Sequence, residues 1–409
     1  MPLTPRDLIR DSSTRTRLAW IGAIAFASGF PFGLINETIP VYLRSEGAGL
    51  VQVGLVSSVT LPWTIKFLWA PLVDRVGSRR LWVTACLALL SVLTLLVGHA
   101  NVHALAPRFW LLLTVMVTLS ATQDIAIDAY TIETTTEREL GVANSVRIAL
   151  YRVAMFIAGG LLIFIAGRSS WRLAFTVGAV LLAVLAACGM ALPTVTAATV
   201  GHRSIWEPIR ALFRRPGIGL VILFALIFKL DVALLEPMMR PFWVDRGLSL
   251  EEIGAVLTTG RIVATIAGAV LGGVLTTRWG IRTALWALGG VQAFSALGYF
   301  AAATFSVSKG AVYAAAFFEN FAAGLGTAAF VAYLMSVAER RFAATQYALL
   351  SALMALTRSG AGAISGRMAE SLGYGPYFLV TFLLGLPAFA LIPLLRRAAR
   401  PDEVSASSG

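Results

Sequence analysis

Repetition is what limits this chain most: about twelve apolar runs of roughly 20 residues follow one another along nearly its whole length. They lie at roughly 18–43, 52–73, 81–98, 108–131, 141–166, 171–192, 217–244, 250–276, 283–303, 310–337, 343–366 and 374–395, each long enough to cross a ~30 Å hydrocarbon core as a helix. In lipid, backbone groups must be satisfied inside a helix or a closed barrel, and runs this long without period-two alternation speak for helices. Composition agrees. With 58% hydrophobic and 13% charged residues among 409, the chain has too little polar surface for a soluble globule, in which about a quarter of residues would be charged. The expected class is an all-α, polytopic membrane protein of about twelve transmembrane helices.

The net charge of +12 does not call for nucleic acid, because basic residues at span ends are what cytoplasmic loops carry. Arg and Lys gather in the N-terminus, in 74–80, 193–216, 277–282 and 338–342, and in the C-terminus, while 44–51, 99–108 and 246–249 are poor in them. Both termini are therefore expected to be cytoplasmic. Cys86 and Cys188 lie in apolar runs, and His99, His103 and His202 are the only histidines, so neither a disulfide framework nor a metal site nor a cofactor is expected.

Residues 1–17 carry Arg6, Arg10, Arg15 and Arg17 without the short apolar core and cleavage site of a secretory signal, and are read as a cytoplasmic segment. A polar interruption at 193–216 divides the spans six and six, giving bundles at 18–192 and 217–395 and a tail at 396–409. Trp206 and spaced apolar residues in the linker are compatible with an interfacial helix as well as with a solvated connection.

The halves resemble each other. Ala70-Pro-Leu-Val-Asp74-Arg75-Val-Gly77-Ser-Arg79-Arg80 lines up with Gly273-Val-Leu-Thr-Thr277-Arg278-Trp-Gly280-Ile-Arg282, and Leu50-Val-Gln-Val-Gly54 with Leu250-Glu-Glu-Ile-Gly254. Six spans repeated in parallel resemble the two six-helix bundles of the major facilitator superfamily. The Asp74-Arg75-x-Gly77 turn is similar to that superfamily's loop after its second span. It differs at Ala70, where Gly is usual, and the second copy loses the acid at Thr277, so the resemblance implies a stronger cytoplasmic latch in the N-terminal half.

A narrower resemblance rests on Lys66-Phe-Leu-Trp69-Ala-Pro71-Leu-Val-Asp74-Arg75, on Gln123-Asp124-Ile-Ala-Ile-Asp128-Ala-Tyr130, and on Gly324-Leu-Gly326 through Met335 followed by Ala344-Thr345-Gln346-Tyr347. These segments, in this order, look like the AmpG-type muropeptide permeases of the peptide and acetyl-CoA transporter branch. That branch also includes permeases for iron-siderophore complexes and acetyl-CoA, and typical muropeptide permeases are longer than this chain.

The chemistry is expected where charge enters the spans. Ser120 to Arg152 places Asp124 and Asp128 four residues apart, on one helix face, and then Arg147 and Arg152 on the next run. Charged groups in lipid face a protein interior or a watery path. At ~1.5 Å per residue, Lys66, Asp124 and Arg147 fall toward the cytoplasmic third. Arg152, Lys229, Asp231, Arg261 and Glu319 fall near the midplane, with Arg358 further out, and Glu37, Glu236 and Arg240 lie toward the outside. The excess of cations at mid-depth predicts an organic anion, held by Arg152, Lys229, Arg261 and Arg358 with Asn320. Glu319, then Asp231, is the candidate for proton coupling, because a carboxylate there can alternate between a proton and a cationic partner; Arg261 and Arg358 are the alternative static partners of Glu319. Lys66, Asp74, Arg75, Asp124, Asp128 and Arg147 are expected to gate the inner side.

Gly29-Phe-Pro31-Phe-Gly33 and the pair Pro237, Pro241 are expected to free backbone groups where the path opens, with Phe30, Phe32, Phe242 and Trp243 nearby. The reading is a monomeric, proton-coupled importer of an amphipathic organic anion such as a muropeptide across the inner membrane by alternating access. Siderophore-complex and acyl-CoA transport are sibling readings. A membrane-embedded enzyme would need a nucleophile and base or a His-rich motif, which the sequence lacks, and a channel would need rings of one charge sign.

Overall fold

The computed structural model describes residues 12–76, 78–99, 107–135, 140–194, 206–305, 308–337 and 343–397, and among them every regular element is a helix. Ten are long and apolar enough to cross a membrane, from Thr14–Ser45 to Tyr374–Leu391. They match the predicted runs except the second and the eleventh, and the spans keep that numbering below. The eleventh is the helix Ala343–Leu372, longer than its apolar run. Much of the loop and linker sequence, including 195–205 with His202 and Arg203 and the tail after 397, lies outside the described residues.

The second span breaks into the pieces Leu50–Val59, Leu61–Ile65, Lys66–Leu68 and Ala70–Arg75. Pro62 and Pro71 each sit in the first turn of a new piece, where a missing N–H costs no helical bond. Pro31, Pro237 and Pro241 behave differently. Pro31 lies inside the helix Ser12–Gly33, which passes into a π-helical turn at Leu34–Thr38. Pro237 and Pro241 lie inside the continuous helix Leu230–Asp245, where Ser365 and Tyr377 donate to the nearby Leu234 carbonyl. The seventh span instead breaks at Lys229, whose backbone (φ −107°, ψ 5°) separates Ile218–Phe228 from Leu230–Asp245. The seventh span is thus interrupted at Lys229, and Pro237 and Pro241 sit within the continuous helix that follows.

The internal repeat is visible atom by atom. At the end of the first span, Glu46, Gly47 and Ala48 donate their N–H groups to Tyr42, Arg44 and Leu43; at the end of the seventh, Arg246, Gly247 and Leu248 donate to Phe242, Val244 and Trp243. Gly47 and Gly247 both turn through positive φ, 86° and 72°, a region costly for any residue with a Cβ.

Two compact units result. The first holds Met1–Ala48, Val59–Thr199 and Ser249–Thr258; the second holds Gly49–Ser58, Val200–Leu248 and Thr259–Gly409. The expected division at 193–216 is therefore crossed by two short segments, the opening turns of the second and eighth spans. Glycine contacts explain their placement: within the second unit Gly54 lies against the backbone of Gly362 and Gly366, and within the first Gly254 lies against Gly160 and Phe164. A Cβ at Gly54, Gly254 or Gly366 would collide with backbone, so the helices approach as small-residue pairs in membranes do.

Inside the first unit the first span packs on the fifth and the third on the sixth. Gly33 sits where a Cβ would fall 2.7 Å from Met155 Cα, and Gly29 is equally tight against Tyr151. These glycines serve close packing, and Phe30 beside them is fully buried. Inside the second unit the tenth span packs on the eighth and ninth, where Gly272 and Gly324 allow backbone-to-backbone approach. Its apolar core joins Phe224, Phe228, Leu288, Phe330 and Tyr333. Leu111, Val263, Val270 and Phe294 are exposed along the spans, as a lipid-facing surface requires.

Candidate functional site

In the first unit a charge network gathers on Asp128. Lys66 sits in the short 3-10 turn where the second span is interrupted, and its Nζ lies 3.4 Å from Asp128 Oδ2. Arg147, from the helix Leu140–Phe156, reaches the other oxygen, Nη2 to Oδ1 at 2.6 Å. One carboxylate thus clamps cations from two other spans. All three side chains are about one-third exposed, so solvent screening leaves the clamp a modest energy. Asp124, one turn before, is not part of it and accepts a hydrogen bond from Ser28 Oγ.

Nearer the helix end, Arg79 donates to Glu133 Oε1 through Nε (3.2 Å) and Nη2 (2.9 Å) and to the Val73 carbonyl (3.0 Å). Glu133 was not singled out in the sequence, although it is the next acid in the Asp124, Asp128 series. Asp74 and Arg75 close the helix Ala70–Arg75, and their side chains lie outside the described set. Arg152 is exposed and makes no hydrogen bond or ion pair among the described residues.

The second unit holds the denser polar interior. Lys229 Nζ donates to Gln292 Oε1 at 2.8 Å and Thr327 Oγ1 at 2.9 Å, with the Phe228 and Phe330 rings 5.8 and 5.7 Å away. The Gln292 amide turns its nitrogen toward Asp231, at 3.4 Å from Oδ2, so one amide joins the cation and the acid. Asp231 lies in the first turn of Leu230–Asp245 and accepts from the Val232 N–H at 2.7 Å, a favourable place for a negative group. Gly326 makes room for Gln292, and Gly385 for Asp231. Lys229, Asp231 and Gln292 are all buried. Gln292 and Thr327 were missed in the sequence; a glutamine in the middle of an apolar run was the available signal.

Glu319 and Asn320 lie on the tenth span, both buried. Arg261 Nε donates to Asn320 Oδ1 at 3.2 Å, and the guanidinium lies 5.7 Å from the Trp243 ring centroid. Glu319 Oε2 has no hydrogen-bond partner among the described residues, nor have Tyr299 Oη and Trp243 Nε1. The charges acting on Glu319 are Arg261 first, then Glu236, Asp231 and Lys229. Arg358 pairs with Glu236, Nη2 to Oε1 at 2.5 Å, and Arg240 approaches the same oxygen at 3.9 Å. Of the two cations named as static partners for Glu319, Arg358 is thus committed to Glu236, and Arg261 hydrogen-bonds the neighbouring amide. Phe242 packs among Tyr299, Tyr374 and Phe378, so it is a core residue.

A partly solvated clamp in one unit and a buried set of charges with unused polar atoms in the other suit binding and proton exchange. Among the described residues no group of three or more His, Cys, Asp or Glu is placed to hold a metal.

Comparison with known proteins agrees on the architecture. The sequence profile of the Major Facilitator Superfamily matches residues 21–359. The anhydromuropeptide permease of Escherichia coli K12 is 31% identical over 95% of this chain and 82% of its own length. A Haemophilus influenzae protein without a described function is 32% identical over 93% of this chain and 95% of its own, and the putative transporter AmpG 4 of Rickettsia conorii is 27% identical over 93% and 96%. Among solved structures, a bacterial homologue of the human lysosomal transporter Spinster, inward-facing and unoccupied, superposes with a TM-score of 0.72 at 17% identity, covering 95% of this chain and 98% of that one. The nucleoside transporter NupG (D323A mutant) gives 0.71 at 12%, covering 94% and 100%. At those identities the solved structures speak for the fold alone.

Proposed function

Because this chain belongs to the Major Facilitator Superfamily, among its AmpG-like permeases, we propose that it imports an anionic muropeptide with protons across the inner membrane, with both termini cytoplasmic. The observation that carries the reading is the second unit's polar interior, where Glu319 lies buried with an unpartnered oxygen and four cations, Lys229, Arg240, Arg261 and Arg358, occupy the same unit. The similarity to an anhydromuropeptide permease over most of both chains supports the substrate class.

In this reading Arg261, Asn320 and Arg358 receive an acid group of the cargo, since a guanidinium offers forked donors to carboxylates. Arg152 is the candidate anion contact of the first unit. Lys229, enclosed by Gln292 and Thr327, tunes Asp231 and Glu319 and stands behind the anion contacts. Glu319 carries the proton: neutral, it relieves the burial cost of an unpaired carboxylate; ionised, it is held by Arg261. The Asp128 clamp on Lys66 and Arg147, with Asp124, Asp74 and Arg75, gates the inner end.

The test is uptake into proteoliposomes with labelled anhydromuropeptide and a ferric siderophore, each with and without an inward proton gradient. Gradient-driven accumulation of the muropeptide, cut by about tenfold or more in Glu319→Gln, a loss of about 1.4 kcal/mol or more, is expected. Accumulation of the siderophore alone would reassign the cargo, and muropeptide accumulation that survives Glu319→Gln would remove Glu319 from coupling.

A further inference from the structure

The pair Glu236 and Arg358 is an open ion pair within the second unit. Glu236 comes from the seventh span and Arg358 from the eleventh. Their side chains keep 21% and 39% of their exposure, whereas Arg240, which shares the carboxylate, keeps 4%. A single oxygen, Glu236 Oε1, takes both guanidiniums. Arg358 uses one nitrogen for this bond and makes no other hydrogen bond or ion pair among the described residues. A guanidinium has five N–H donors in a planar fork, so most of its capacity is unspent, on a side chain that is 39% exposed. The Lys229 and Asp231 set shows the opposite design: buried, with its cation hydrogen-bonded to both an amide and a hydroxyl.

An arginine held by one short bond to a glutamate, with its remaining donors open, is a site already filled by an anion of the protein's own. We propose that Glu236 is a resident anion, which keeps Arg358 and Arg240 compensated until a carboxylate or phosphate of the cargo takes its place. The proposal rests on the anion-transport reading above and adds the competitor. In the empty protein the Glu236 carboxylate neutralises Arg358 and lies 3.9 Å from the buried Arg240. On binding, the cargo's acid group takes the forked donors of Arg358, and Glu236 moves aside. Affinity is then the difference between two anions for one cation. A neutral molecule of the same shape cannot make the exchange.

The experiment measures equilibrium binding of labelled anhydromuropeptide to the full-length protein in nanodiscs at one fixed pH, for wild type, Glu236→Gln, Glu236→Asp, Arg358→Gln and the double swap Glu236→Arg/Arg358→Glu. Thermal unfolding of each variant is followed in parallel. Removing the competitor in Glu236→Gln, or drawing it back by one methylene in Glu236→Asp, is expected to tighten binding by about tenfold, and Arg358→Gln to weaken it by at least as much. A muropeptide with its carboxylates amidated should show no gain in either Glu236 variant. The double swap sets a second guanidinium one turn from the buried Arg240, and is expected to lower thermal stability and leave binding unrecovered. Wild-type binding with no gain in either Glu236 variant, or recovery of binding in the swap, would reduce the pair to a strut between two spans and overturn the exchange alone. If the wild type binds no muropeptide, the transport reading falls, and the exchange with it.

Discussion

The first and seventh spans occupy equivalent places in the repeat, and their comparison shows how one scaffold carries two kinds of work. Their terminal turns make the same hydrogen bonds two hundred positions apart, through Gly47 and Gly247. Between these fixed ends the contents diverge. Where the first span has Gly29, Pro31, Asn36 and Pro40, the seventh has Lys229, Asp231, Glu236 and Arg240. Gly29 brings the first span against the Tyr151 backbone, while Lys229 opens the seventh to reach Gln292 and Thr327. Backbone geometry was retained while interior charge was placed unequally: the first span keeps the buried Glu37, and the seventh carries Lys229, Asp231, Glu236 and Arg240. In the first unit Lys66, Asp128 and Arg147, from the second, fourth and fifth spans, form a clamp of their own.

That asymmetry can be attacked directly. The largest effect is expected from Lys229→Met, which leaves Asp231 buried without its cation and should destabilise the protein by about 3–5 kcal/mol, whereas Lys229→Met/Asp231→Asn should lie near wild type. Thermal unfolding in detergent compares the two; a double variant as unstable as the single would mean that packing, not charge, sets the break in the seventh span. Next is Asp128→Asn, which releases Lys66 and Arg147 together. Uptake should fall by about tenfold, equivalent to about 1.4 kcal/mol, with little change in unfolding temperature, because the clamp is partly exposed. A drop in unfolding temperature without a drop in uptake would make the clamp structural. The smallest effect sharpens the likeness: Gly47→Ala and Gly247→Ala should each cost about 1–2 kcal/mol, by equal amounts, since both demand positive φ. Unequal costs would show that the two turns are not energetically equivalent.

The sequence by itself determined the membrane-spanning helical class, because uninterrupted apolar runs admit no other backbone solution in lipid. It also determined the repeat, through the aligned Leu50–Gly54 and Leu250–Gly254 segments, and the spans in which charge would be found. Depth along the spans grouped Asp124 with Lys66 and Arg147, whereas in the fold Asp128, one turn on, takes both cations.

Tertiary structure alone decided who pairs with whom. Arg358 goes to Glu236 and not to Glu319, Asp124 goes to Ser28, and Lys229 takes a neutral amide and a hydroxyl 63 and 98 residues away. Nor could the sequence show that the seventh span breaks at Lys229 while running straight through two prolines. The physical reason is the same in each case. A helix's apolar pattern is local and fixes that the span exists, but the partner of a buried polar group is chosen by the side chains that other helices bring within about 3 Å of it. Those neighbours are set by how glycine-lined faces pack, and no single stretch of sequence contains that information.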